Sequence, residues 1–155
     1  MKIATVAIVL RKNETEVLLG YKKTGEIGAR TINAPGGKCE PGESTIDCVI
    51  RETEEETAIR LDSADLQFIA VITFCAAGTP DFEVHFFRTS AFSGIPKETD
   101  SFVPRWYEVG KIPFEQMLES DREWFPKVII GEKFRAKVYY RERAKGFEKI
   151  EFFPF

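Results

Sequence analysis

The run Arg51-Glu52-Thr53-Glu54-Glu55-Glu56 is the densest concentration of chemistry in this 155-residue chain. On a helix it puts Glu52, Glu55 and Glu56 at i, i+3 and i+4, so three carboxylates share one face. Like charges at that spacing repel and weaken the helix unless a cation compensates them. A hard divalent ion is the natural compensation, because Mg²⁺ takes oxygen ligands, commonly a few carboxylates plus substrate phosphates. Arg51 can neutralise one more carboxylate through a bidentate contact, with Glu43 as its expected partner. Just upstream, Pro35-Gly36-Gly37-Lys38 supplies glycines that let a backbone approach a ligand closely. An acidic helix face alone is ordinarily a solvated face, and a Gly-rich loop alone is ordinarily a turn. The two in succession point to a metal-assisted site.

The elements that must position these residues follow from periodicity and punctuation. Lys2 to Leu10 and Glu16 to Tyr21 read as strands around a turn at Lys12-Asn13-Glu14. Lys22 to Gly42 is a long connection, basic and rich in Gly and Pro, and such connections in compact domains are more often functional than idle. Ser44 or Thr45 caps a helix reaching about Ala58, with Ile46, Val49, Ile50 and Thr53 at helical spacing. Leu66 to Ala76 and Phe82 to Ala91 read as strands separated by a turn over 77–81. Ser93 to Pro104 is a polar loop, and Arg105 to Val109 a short strand. Pro113 starts a helical turn, and Asp121 to Ile130 forms a second helix ended by Gly131. Phe134 to Arg141 and Phe147 to Phe153 make a terminal hairpin. The expected architecture is a single α+β domain over 1–155, with a mixed sheet and two main helices.

Composition narrows the partners. Apolar residues are 43% and charged residues 30% of the chain, as in ordinary globular proteins. A net charge of −3 gives no global attraction to nucleic acid or to an anionic membrane, so a polyanionic ligand needs a local device. No apolar stretch is long enough to span a bilayer, and the apolar N-terminal stretch is too short for a signal peptide. Cys39, Cys48 and Cys75 lack metal-site spacing and read as free thiols in a reducing compartment, so a cytoplasmic location is expected. His85 stands alone on a strand-like run and reads as structural. No nucleophilic Ser or Cys has triad-like partners.

The stretch Gly37, KCEPG, Glu43, STIDCVI, Arg51-Glu52-Thr53-Glu54-Glu55-Glu56-Thr57-Ala58-Ile59 resembles the signature of the Nudix hydrolase superfamily. Every fixed letter matches except the last glycine, which is Ala58, and Thr53 replaces a bulky aliphatic residue. At about 7% usage per residue type, such a match has a chance probability on the order of 10⁻⁴. Ala58 lacks an easy left-handed cap, so a different helix exit is expected. Thr53 should weaken the packing beneath the helix by about 1 kcal/mol. The resemblance implies an α/β/α sandwich and Mg²⁺, for which Mn²⁺ can substitute, held by Glu52, Glu55, Glu56 and the Gly37 carbonyl. It further implies Glu55 or Glu56 as base, with Arg51 among the catalytic residues. Glu98 or Asp100 is a candidate outer metal ligand, against the plainer reading of solvated loop charges.

Beyond the signature, LLGYKK, NAPGGKCEPGE, IPFEQM and WFPK are similar to the MutT-like branch that hydrolyses oxidised purine nucleoside triphosphates such as 8-oxo-dGTP. That likeness implies Asn33 and Asp121 as base-binding residues, with Lys22 and Lys38 as candidates for phosphate. Leu118 stands where the branch has a stacking Trp, and Ser120 replaces the first of its paired aspartates. Trp124 reads as core. The implied reaction yields a monophosphate and pyrophosphate. The alternatives are another nucleoside diphosphate derivative (a nucleotide sugar, dinucleoside polyphosphate or pterin triphosphate) and a non-catalytic nucleotide-binding module. The expected partner is a small nucleotide, without membrane or nucleic-acid polymer, on a monomer or homodimer.

Overall fold

The computed structural model describes residues 1–155 as one mixed sheet with a helix on each face. Its strands are β1 (Lys2–Arg11), β2 (Glu16–Lys22), β3 (Ile32–Asn33), β4 (Gly36–Lys38), β5 (Gln67–Ala76), β6 (Thr79–Thr89), β7 (Phe102–Glu108), β8 (Phe134–Glu142) and β9 (Lys145–Phe153). The order is β3-β2-β1-β6-β5-β8-β9, with β4 paired to β1 and β7 to β2. The pairs β1–β6 and β5–β8 are parallel and the others antiparallel. The expected α+β class and α/β/α layering are therefore observed.

Alternation along β1 explains why a helix sits on each face. Ala4, Ile8 and Leu10 join one apolar core with Val17 and Leu19 of β2, while Ala7 and Val9 join a second core with Leu18. Successive side chains on a strand point to opposite faces, so β1 is buried on both. The larger core also takes Trp124, Phe125 and Val128 of α2 (Asp121–Ile129), and the smaller one takes Val49 of α1 (Thr45–Thr57).

Ser44 caps α1, its hydroxyl accepting from the Asp47 amide. At the other end the expectation of a different exit fails: Ala58 itself takes the left-handed conformation, φ 67° and ψ 8°, and its amide bonds the Glu54 carbonyl. Isolated bridging of Arg60 to Ser93 holds the exit in place although the cap lacks a glycine. Thr53 is wholly buried under the helix, and its Oγ1 has no hydrogen-bond partner.

Four boundaries differ from the sequence reading. The first is β7, which starts at Phe102 inside the stretch read as a polar loop because its pairing with β2 runs as far as Lys22. The 22–42 connection contains β3 and β4, which form because β2 and β1 offer them partners. The turn between β5 and β6 is only Ala77-Gly78, both at positive φ, so β6 starts at Thr79. The C-terminal hairpin turns equally tightly at Arg143-Ala144, and β9 starts at Lys145.

Candidate active site

A cleft of about 550 Å³ opens between the Gly-rich loop, the exposed edge of α1 and the α2 side of the sheet. Pairing of β4 with β1 pins Gly36 and Gly37 against Thr5 and Val6. A side chain on Gly36 would collide with the Thr5 carbonyl, and one on Gly37 with the Glu52 carboxylate. Glycine is needed at Gly36, where the clash is with backbone, whereas at Gly37 a side chain would displace the Glu52 carboxylate from its place.

The helix brings Glu52, Glu55 and Glu56 to the same end of the cleft, in graded environments. Glu56 is 6% exposed and its Oε1 accepts from the Gly36 amide at 2.8 Å. Burial pushes its carboxyl up to about 7, against the opposing pull of that amide and of Lys22. Burial likewise raises Glu52, opposed chiefly by Arg51. Glu55 has a side chain 59% exposed. Arg51 ties the group together. Its guanidinium meets Glu43 in a bidentate pair at 2.7 and 2.8 Å, and Nη1 reaches Glu52 at 2.8 Å and Glu55 at 3.2 Å. Its hydrogen bonds hold Glu43 down at about 2. Oxygen donors crowded on one face, with burial working against their charge, fit a hard divalent cation.

The far end of the cleft is apolar. Phe82, Val84 and Phe86 alternate along β6, and Phe74 of β5 joins them. Trp124 is a core residue, as expected, yet its ring also reaches the cleft, edge-on to Phe86 at 5.0 Å. These aromatics were missed as site residues; the available signal was the two-residue alternation on a strand, which cannot say which face holds a cleft. Asn33 and Asp121 line the same region with Leu118. Asn33 donates through Nδ2 to Thr31 and Gly28, leaving Oδ1 as its open acceptor. Asp121 is 3% exposed, and burial pushes its carboxyl up to about 8. Ser120 turns inward instead: its amide donates to Tyr140 and its hydroxyl accepts from Trp124.

Lys22 and Lys38 both line the cleft, Lys38 ion-paired to Glu26 on the 23–31 loop. Glu98 and Asp100 do not line it. Glu98 pairs with Lys23 at 2.8 Å, and its neighbours strap the end of α1, the Lys97 amide bonding the Thr57 carbonyl and the Thr99 hydroxyl that of Glu56. That loop satisfies helix carbonyls and brings Ser101, not a carboxylate, to the cleft. His85 stacks on Phe68 and contacts Glu83, away from the cleft. No helix is long and apolar enough to cross a membrane.

Comparison with known proteins adds independent findings. The model of the NUDIX domain matches residues 1–128. An oxidized purine nucleoside triphosphate hydrolase of Danio rerio is 37% identical over 134 residues, covering 86% of this chain and 83% of the relative. The protein of the same description from Mus musculus is 34% identical over the same shares. Among solved structures, a MutT protein from Bacillus halodurans superposes with a TM-score of 0.80 at 21% identity, covering 98% of this chain and 97% of that one. This last likeness concerns the fold.

Proposed function

The chain belongs to the Nudix family of pyrophosphohydrolases, and from that premise we propose that it hydrolyses a purine nucleoside triphosphate, an oxidised one such as 8-oxo-dGTP, to the monophosphate and pyrophosphate. The observation that carries this reading is the polarity of the cleft. Carboxylates stand at one end, and an aromatic end closed by Asn33 and Asp121 suits a base. The names of the two vertebrate relatives supply the substrate class.

Glu52, Glu55 and Glu56, with the Gly37 carbonyl beside them, would hold Mg²⁺. When bound, it would neutralise phosphate charge and acidify an attacking water. Glu56 is the favoured proton acceptor, because it is deeply buried beside the Gly-rich loop and its Oε1 is fixed in place by the Gly36 amide. Arg51 positions Glu52 and Glu55 and keeps the loop at Glu43 against the helix. Lys22 offers a positive charge to the phosphates, and Lys38 can do so once released from Glu26. At neutral pH Asp121 carries its proton, so it donates a hydrogen bond to a base while the Asn33 carbonyl accepts one. Leu118 and the apolar wall cover the ring.

Leu118 and the inward-turned Ser120 favour a second reading, the same chemistry on another nucleoside diphosphate derivative. The deciding experiment measures Mg²⁺-dependent pyrophosphate release from normal and oxidised nucleoside triphosphates, nucleotide sugars and dinucleoside polyphosphates. Preference for an oxidised purine, reduced about 10²- to 10⁴-fold by Glu56→Gln, supports the reading. Preference for another diphosphate moves the substrate. Nucleotide binding without any turnover would overturn hydrolysis.

A further inference from the structure

Cys39, Glu43 and Cys48 lack a familiar metal-site spacing but meet in space where the loop after β4 folds back on α1. One donor atom from each lies within 4.8 Å of the other two. Around a tetrahedral ion with metal–sulfur bonds of about 2.3 Å, two sulfurs sit roughly 3.8 Å apart, so small side-chain rotations suffice. Cys48 is wholly buried on α1, its Sγ 3.2 Å from the Thr5 hydroxyl and 3.6 Å from the Gly37 carbonyl. Cys39 is half-buried and lines the cleft, which gives an ion a way in. Glu43 is already oriented: Arg51 and the Glu40 amide occupy its oxygens from one side. A carboxylate has about four lone-pair sites, so one remains for a ligand. An orienting contact of this kind is what fixed metal ligands ordinarily have.

We propose that Cys39, Glu43 and Cys48 form a second metal site, separate from the Glu52–Glu55–Glu56 cluster and selective for a soft divalent cation such as Zn²⁺ or Cd²⁺. Two sulfur donors make the difference. Thiolates select soft ions, whereas Mg²⁺ requires oxygen. The two sites therefore sort cations by chemistry although Gly37 borders both. Loading exchanges the two thiol protons for one divalent ion, releases both protons to solvent and involves no oxidant.

The test is a Cd²⁺ titration of the full chain, kept reduced with a phosphine and in excess Mg²⁺, followed by the near-ultraviolet thiolate-to-metal charge-transfer band. The band should saturate at one equivalent with release of two protons, and it should persist in Cys75→Ser and in Glu52→Gln. It should vanish in Cys39→Ser, a half-buried position where the change leaves the core intact, and in Cys48→Ala. Absence of the band, its survival in Cys39→Ser, or its loss in Cys75→Ser would overturn the proposal.

Discussion

Asp121 and Thr53 are two polar groups carried in apolar surroundings, and they differ in whether function explains them. Asp121 is buried at the aromatic end of the cleft with a folded-state value of about 8, against an ordinary value of 3.8. The native protein therefore keeps a proton that the unfolded chain gives up. Its stabilising effect is full below pH 4 and is lost as pH rises through about 8. Asp121→Asn keeps a neutral side chain at every pH. In denaturant melts without metal or nucleotide it should match the parent near pH 4 and exceed it by up to about 5 kcal/mol near pH 8, the difference growing steadily between the two. Parallel pH profiles for the two proteins would contradict a protonated Asp121. The same substitution exchanges a hydroxyl donor in the proposed base site for an amide donor, so substrate discrimination there should lose its dependence on pH through about 8. Thr53 has no such excuse. Its hydroxyl is buried without a partner and faces no cleft. Thr53→Val fills the same volume and should stabilise the fold by about 1 kcal/mol, read as a shift in denaturation midpoint.

At the scale of elements, α1 is the piece whose two ends hold the site in place. Its start is capped by Ser44, and its end turns on Ala58, a non-glycine residue in the left-handed region. That conformation costs an L-residue about 1 kcal/mol, so Ala58→Gly should raise stability by that order, after subtracting the greater freedom glycine has when unfolded. A midpoint that falls instead would mean that Ala58 makes packing contacts worth more than the strain. This helix was the most legible element in the sequence, since Ser44, the apolar spacing and the Glu run all agree about its position. Its exit was misread because the Arg60–Ser93 bridge that enforces it lies far along the chain. The same reason explains β3 and β4, whose few residues have no pattern of their own and become strands only beside β1 and β2. The carboxylate end of the cleft was readable because its residues are close in sequence. The aromatic end comes from β5, β6 and α2, and only the sheet order puts those strands beside the Gly-rich loop.

For the whole molecule, the cleft joins a helix packed on the smaller core to a wall belonging to the larger one. Ligands that touch both should tighten the entire fold. Without a cation, Glu52, Glu55 and Glu56 repel one another at i, i+3 and i+4, and burial opposes the charge on Glu52 and Glu56. The metal-free protein is thus held below the stability its packing would permit. Mg²⁺ binds only the folded arrangement, and at a hundredfold excess over its dissociation constant should add about 2.7 kcal/mol. At about 2–4 °C per kcal/mol for a chain of this size, the melting temperature should rise by roughly 5–10 °C. A nucleotide with a non-hydrolysable α–β linkage should add little alone and clearly more with Mg²⁺, because its phosphates complete the cation's ligand set. Glu52→Gln separates the two contributions. Removing one of the repelling charges should make the metal-free protein more stable than the parent while largely abolishing the Mg²⁺ increment. If Glu52→Gln instead melts lower without metal and still responds fully to Mg²⁺, the carboxylates of this helix face are not where the cation binds.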